Sequence, residues 1–435
     1  MTPELALRLG RAIAVVAGRD KTRPPRLVIG KDTRLSGYML ETALASGICA
    51  MGGKVLLCGP MPTPAVANLT VTMRADAGLV ISASHNPFDD NGIKIFGSDG
   101  FKLPDEKEAE IERLLGDPIL DEGATGTRVG RASRIDDAAG RYVVSAKSTF
   151  PRQLTLDGVR IVVDAANGAA YKVAPCVFAE LGASVFSEGV KPNGTNINRN
   201  CGALHPEHVA REVLRAKAHI GIALDGDADR VIIVDETGQV VDGDAIMALC
   251  GRYLIAEKRL VRNTVVATVM SNLGLERALE SVGGKLKRTA VGDRYVVEEM
   301  RNSGYYFGGE QSGHLIFLDH ATTGDGIVAA LQVLAIMVRE QKPLSELVRF
   351  FQRSPQVLES VKLPKRKPLQ EMPKLSAAMS DIEAKLGRDG RVLVRWSGTE
   401  AKLRIMVEGP DDSLLRTYVD RMLHEARADL GDVAQ

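Results

Sequence analysis

The sequence predicts an α/β chain: three similar mixed α/β domains followed by a smaller C-terminal α+β domain. Three observations lead there. Apolar β-branched runs, polar loops and helical patterns alternate along most of the chain. Three stretches, starting near residues 26, 159 and 263, open alike, with an apolar run, a polar turn containing glycine and then a helix, which is a weak internal repeat. Residues 362–374 hold four Lys, one Arg and three Pro, the composition of a linker. A chain of 435 residues is also too long for one hydrophobic core. The expected domains are 1–151, 152–258, 259–362 and 375–435.

In order, residues 1–18 read as an amphipathic helix with Pro3 in its first turn. Residues 26–32 read as a strand, 37–51 as a helix, 54–59 as a strand, 64–73 as a helix and 77–82 as a strand. Helical patterns at 105–115 and 136–147 close the first domain. The second opens with a strand at 159–168 and a helix to Leu181. Strands follow at 183–189 and 220–227, then a hairpin over 231–244 with Thr237-Gly238 at its turn. The third starts at 263–274 and ends with a helix over 324–338. Beyond the linker come a helix, strands RVLVRWS and KLRIMVEG, and a last helix from Asp411.

Composition excludes several classes of function. Lys plus Arg is 56 against 55 for Asp plus Glu, so no global basic field recruits nucleic acid or an anionic membrane. Aromatic content of 4% is too low for base-stacking platforms. No apolar run reaches the length of a membrane span, and the N-terminus lacks the basic start and cleavage site of a signal peptide. Five cysteines with no CxxC fit free thiols in a reducing cytoplasm. The expected partner is a small molecule, with neither nucleic acid nor membrane.

Four motifs carry chemistry. In GLVISASHNPFDDNGIK (residues 78–94) an apolar run delivers Ser84 to a polar loop, with His85 beside it and Lys94 ten residues on. That is a nucleophile with proton-transfer partners; a plain Asx-turn loop has the same composition. In DGDADR, Asp225, Asp227 and Asp229 at i, i+2 and i+4 project to one side of an extended segment. Like charges so close call for a hard cation, magnesium before calcium. An EF-hand fails here, because Arg230 stands at its glycine position and apolar strand patterns flank the motif. GGEQSGH (residues 308–314) reads as a hairpin loop presenting Glu310 and Ser312 to a polyhydroxy ligand. RWSGTE (residues 395–400), with Arg404, brings two guanidiniums, two hydroxyls and a glycine together as a dianion cradle.

A serine nucleophile, a metal loop, a sugar loop and a phosphate cradle suit phosphoryl transfer on a phosphorylated sugar. SASHNP, DGDADR, GEQSGH and SGTE stand in the order of the α-D-phosphohexomutase superfamily, which the chain resembles along essentially its whole length. GKDTRLSGYMLE, GPMPTPAVA, VGDRYV, TTGDGIVAALQVLA and Gln311 resemble the phosphoglucosamine mutase family within it.

The resemblance implies four domains around a central cleft. It implies cytoplasmic interconversion of glucosamine 6-phosphate and glucosamine 1-phosphate, for UDP-N-acetylglucosamine and cell-wall precursors, through a phosphoserine and a bisphosphate, as a monomer or homodimer. Ser84 would be the phosphoserine, with one Mg²⁺ between its phosphate and Asp225, Asp227 and Asp229. Lys94, before His85, would move protons, and Arg230 would lie near the transferred phosphate. Glu310 and Ser312 would hold the sugar hydroxyls, and His314, Asp293 and Arg294 would also bind the substrate. Arg395, Ser397, Gly398, Thr399 and Arg404 would hold the idle phosphate. A sugar bisphosphate would act as activator.

The alternatives are a phosphomannomutase or phosphoglucomutase, a sugar-phosphate-binding protein without turnover, and a metal-dependent phosphatase. Ala401 replaces the family's usual Pro, and Trp396 is bulkier than the common residue; neither removes a ligand. The family's opening strand, approximately FGTDGIRG, has no counterpart before Thr2. The expectation is therefore a natural protein longer than this sequence, with that segment encoded in phase upstream.

Overall fold

The computed structural model describes residues 1–19, 21–397 and 401–430. The first unit contains α1 (Pro3–Gly18), β1 (Arg26–Lys31), α2 (Leu35–Ala50), β2 (Lys54–Pro60), α3 (Thr63–Thr72), β3 (Ala77–Ile81), β4 (Ile93–Gly97), α4 (Asp105–Leu114) and β5 (Arg131–Arg134). The Thr2 hydroxyl accepts from Leu5 N at 3.3 Å and caps α1. All of β3 is buried, as expected of a strand covered on both faces. After α5 (Ala138–Ser148), the second unit runs β6 (Arg160–Asp164), α6 (Val173–Glu180), β7 (Ser184–Glu188), α7 (Pro206–Ala216), β8 (Ile220–Leu224), β9 (Val231–Asp235) and β10 (Val240–Val241).

The third unit contains α8 (Gly243–Ala256), β11 (Thr264–Thr268), α9 (Leu273–Glu280), β12 (Lys285–Thr289), α10 (Asp293–Ser303), β13 (Phe307–Gly309), β14 (Leu315–Phe317), α11 (Gly326–Glu340) and α12 (Leu344–Leu347). The last unit is β15 (Gln356–Lys362), α13 (Pro373–Leu386), β16 (Arg391–Trp396), β17 (Lys402–Glu408) and α14 (Asp412–Leu430).

The repeat read from the sequence is a repeat of topology. The sheet orders are β4-β3-β1-β2-β5, β10-β9-β8-β6-β7 and β12-β11-β13-β14. In each, a first strand is flanked by two parallel partners, and the second of these turns back into an antiparallel neighbour. That return is β3–β4, β8–β9 or β13–β14, and each of the first three motifs fills one of these turns. The last sheet is antiparallel, in the order β15-β17-β16.

Two sequence expectations need correction. Residues 356–362, read as the end of the third unit, form β15 and pair with β17 along its length, so the C-terminal sheet begins before the Pro- and Lys-rich stretch. Its QVLESVK pattern alternates buried and exposed residues too weakly to stand out. Strands β4, β5 and β12 also went unread. Edge strands such as RASR and KLKRT carry charges that discourage pairing with other chains, and those charges mask the period of two.

One apolar cluster runs from Val28 of β1 through Phe178 of α6 and Phe307 of β13 to Leu334 of α11, joining the first three units. The last unit has a separate cluster around Leu375, Ile405, Val407 and Met422. Among the described residues, no helix is long and apolar enough to cross a membrane.

Candidate active site

Ser84 sits in the β3–β4 turn with φ of +52°, a left-handed conformation uncommon for a residue with a Cβ. Its hydroxyl donates to Asp225 Oδ2 at 2.5 Å, across the seam between the first two units. The β8–β9 turn thus faces the Ser84 turn directly. Gly226 allows this approach: a Cβ there would lie 2.5 Å from the Ser84 carbonyl oxygen.

Asp225, Asp227 and Asp229 are buried, and each offers an oxygen within 4.8 Å of the others'. Asp227 Oδ1 is buried without a hydrogen-bond partner among the described residues. Three crowded carboxylates and an unsatisfied oxygen fit a hard divalent cation. Lys94, from β4, supplies positive charge there, its Nζ lying 2.5 Å from Asp227 Oδ2 and 2.9 Å from Asp229 Oδ2. Burial opposes that ammonium, but the two carboxylates outweigh it and push its pKa up. Burial, with repulsion from Asp229 and Asp227, pushes Asp225 well above the usual carboxylate range. Burial acts the same way on Asp229, yet Lys94, His314 and Arg230 hold it well below that range.

Arg230 Nη1 donates to His85 Nδ1 at 3.2 Å, which leaves the ring proton on Nε2. Ser84 Oγ lies 3.4 Å from the same nitrogen. Burial and Arg230 push the His85 pKa down, so the ring is neutral at pH 7.

The β13–β14 turn presents Glu310, which accepts from Gly292 N at 3.2 Å and from Ser312 Oγ at 3.4 Å. His314 is buried, with Nδ1 3.5 Å from Asp229 Oδ1 and Nε2 3.5 Å from Asp293 Oδ2. Asp293 also takes an ion pair from Lys102 of the first unit. Arg294, expected to bind the substrate, instead engages the Leu103 carbonyl, Asp105 and Glu108, tying α10 to the start of α4.

Arg395 and Arg404 lie directly opposite each other on β16 and β17. Cross-strand like charges are unfavourable alone. Burial and then Arg404 push the Arg395 pKa down, and an anion at this pair would offset both. Ser397 is buried next to them. Gly398 and Thr399 lie outside the described residues.

Comparison with known proteins places this geometry. The four phosphoglucomutase/phosphomannomutase models match in order: alpha/beta/alpha domains I, II and III at residues 1–118, 141–238 and 242–354, and the C-terminal domain at 358–425. The phosphoglucosamine mutase of Sorangium cellulosum is 67% identical over 432 residues, covering 99% of this chain and 90% of the relative. That of an Anaeromyxobacter species is 62% identical, covering 99% and 93%. The chain belongs to the phosphoglucosamine mutase family.

As a member of that family it is an intramolecular phosphotransferase. A phosphoglucomutase/phosphomannomutase family protein from Burkholderia thailandensis superposes with a TM-score of 0.83 at 25% identity, covering 99% of this chain and 94% of that one. The N-acetylphosphoglucosamine mutase of Aspergillus fumigatus, solved with GlcNAc-6P and magnesium, shares the fold at a TM-score of 0.65 and 19% identity, covering 84% and 92%.

Several residues around this phosphoglucosamine mutase family site escaped the sequence reading. Thr63 Oγ1 donates to Asp227 Oδ2 at 2.5 Å. Arg34 and Asn198 reach the backbone of the Ser84 loop. Arg34 and Thr63 stand inside GKDTRLSGYMLE and GPMPTPAVA, but neither stretch shows which atoms those side chains reach.

Proposed function

We propose that the chain interconverts glucosamine 6-phosphate and glucosamine 1-phosphate, with Ser84 as the carrier of the phosphoryl group. The observation that supports this best is the Ser84 hydroxyl on Asp225, at the edge of three buried carboxylates, with Lys94 on Asp227 and Asp229 and Arg230 on the neighbouring His85. Phosphoryl transfer needs little covalent help and mainly positioning and charge neutralisation. Magnesium, held by Asp225, Asp227 and Asp229, would neutralise charge on the phosphoryl oxygens.

A free sugar hydroxyl attacks the phosphorus on Ser84, forming a new O–P bond as the Ser84 O–P bond breaks. Lys94, held as an ammonium, can give the departing Ser84 oxygen a proton and take it back in the return transfer. Neutral His85 is the acceptor available to the attacking hydroxyl once Arg230 turns to the phosphoryl oxygens. The bisphosphate formed then reverses end for end and returns its other phosphate to Ser84. Glu310 and Ser312 would hold sugar hydroxyls, and Arg395, Arg404 and Ser397 the idle phosphate. A sugar bisphosphate would reload Ser84 whenever the carrier loses its phosphate.

A coupled assay for glucosamine 1-phosphate on the purified protein, with magnesium and with or without a sugar bisphosphate, tests this reading. Parallel assays with mannose and glucose phosphates should give lower kcat/KM. Higher kcat/KM on either would reassign the substrate, and an intact mass without phosphate after bisphosphate treatment would remove Ser84 from its role.

A further inference from the structure

Ser84 owes its conformation to side chains outside its own loop. Its carbonyl oxygen accepts from Arg34 Nη2 at 2.9 Å and from Asn198 Nδ2 at 2.8 Å. The Asn86 carbonyl accepts from the same two groups, at 2.9 and 3.0 Å. Arg34 also binds the carbonyls of Pro87 and, at 3.2 Å, Asp90. Its guanidinium is fully buried and fixed by Asp32, whose Oδ2 lies 2.8 Å from Nε. Asp32 Oδ2 also accepts from Ser82 Oγ at 2.6 Å, and Ser82 Oγ accepts from Ser84 N at 2.9 Å. Both backbone polar groups of Ser84 therefore end on Asp32 and Arg34.

Asn198 approaches from the second unit. It has φ of +59°, and its own N–H is tied to the Ala166 carbonyl at 2.9 Å. The residues flanking Arg34 are fastened to the same unit, Thr33 Oγ1 to the Asn167 carbonyl at 2.5 Å and Leu35 N to the Gly194 carbonyl at 2.9 Å. A carbonyl with two donors is doubly satisfied, so each pair could lose one partner without leaving a buried orphan. The redundancy fixes direction: one donor comes from each side of the seam that Ser84 Oγ must cross to reach the carboxylates.

We propose that Asn198 and Arg34 are positioning residues, a clamp across two units on the carbonyls of Ser84 and Asn86 that aims the carrier oxygen at the carboxylate cluster. This rests on Ser84 being the phosphate carrier. Misplacement of a reacting atom by about 1 Å costs on the order of 100-fold in rate, so a clamp of this kind shows in the transfer step before it shows in substrate binding.

Asn198→Gly is the lead variant, because glycine keeps the left-handed backbone while removing the amide. Arg34→Lys is the second, keeping the charge and losing the fork. Each is loaded with a sugar bisphosphate, and transfer to glucosamine 6-phosphate is followed in a single turnover by quenching and intact mass. The expected result is a fall of roughly 10- to 100-fold in the transfer rate, with KM within about twofold and the melting temperature of Asn198→Gly nearly unchanged. The double variant should lose less than the product of the two effects, because both side chains hold the same carbonyls. Wild-type transfer rates in both single variants would overturn the clamp, as would a raised KM with unchanged kcat. A wild-type protein that never carries phosphate on Ser84 would instead overturn the carrier assignment beneath it.

Discussion

The Ser84 centre and the C-terminal arginine pair are supported in different ways. Ser84 and the carboxylates stand on two sheets that share one continuous core with the third unit, and buried side chains cross the seam between them. Arg395 and Arg404 stand on a sheet with its own core, seated on the third unit largely through one buried carboxylate. Glu408 accepts from Asn272 Nδ2 at 3.0 Å and Leu273 N at 3.2 Å and pairs with Arg391, which reaches the carbonyls of Val269 at 2.9 Å and Ser271 at 2.6 Å. Arg391 and Arg395 share a face of β16, as Glu408 and Arg404 do of β17, so the seat and the cradle lie on one face of the same sheet. The difference follows chemical demand. On the roles proposed above, bond making at Ser84 requires fixed geometry, whereas holding an idle phosphate at the arginine pair would require charge that can follow the ligand.

The sharpest way to break this contrast is Ser84→Ala. Turnover should fall by at least about 1,000-fold, while the melting temperature moves by no more than a few degrees, since the substitution removes one hydroxyl bond, to Asp225, and leaves the backbone bonds of the loop in place. Near-normal turnover, measured by the coupled assay, would move the reactive centre elsewhere.

Asp227→Asn should come next. Removing one of three crowded charges should reduce turnover by about 10- to 100-fold and weaken the magnesium dependence with it. An activity-against-magnesium titration checks this, and unchanged curves would detach the carboxylates from the chemistry.

Arg391→Ala probes the other region. Breaking a buried ion pair costs roughly 3–5 kcal/mol locally, so the last unit should melt ahead of the rest as a separate calorimetric transition. KM for the sugar phosphate should rise by about tenfold at the cradle, while phosphate loading of Ser84 by intact mass stays normal. Equal loss of loading would show that the two regions are one rigid body.

The smallest effect belongs to Asp244, whose Oδ2 accepts from Asn272 N at 2.8 Å beside that seat. Burial raises its pKa to about 6, with Glu408 adding to the rise. A carboxyl with a raised folded pKa favours the folded state when protonated. Its cost is absent below about pH 4, grows between pH 4 and 6, and is complete above that, at no more than ~3 kcal/mol. Asp244→Asn should therefore gain melting temperature relative to the parent as pH rises from 4 to 6, with the difference flat thereafter. A constant difference across pH 4–8 would mean that Asp244 does not titrate in that window.

The contrast also explains what the sequence disclosed. Motifs that place chemistry on a turn were legible, because each is a polar burst between apolar strands, as Ser84 and Asp225 are. Arg34, Thr63 and Asn198 were not, because they act on atoms 50, 164 and 114 residues away, and no local pattern reports such a contact. Arg294 was placed among the substrate-binding residues because VGDRYV lies in a family motif, yet its side chain turns to acidic residues of the first unit. The C-terminal sheet was partly missed because β15 precedes the stretch that composition marks as a boundary.

The turn-back topology shared by the first three units has a consequence for how such enzymes change. Each motif is gripped at its base by paired residues of adjacent strands: Ile81 with Ile93, Leu224 with Val231, and Gly309 with Leu315. These pairs work as sockets of one gauge. Whatever is plugged between the two contacts can be longer, shorter or of different charge without re-registering the sheet. A swap of residues 310–314 for the matching turn of a relative should therefore carry sugar preference with it and leave the phosphoryl chemistry in place.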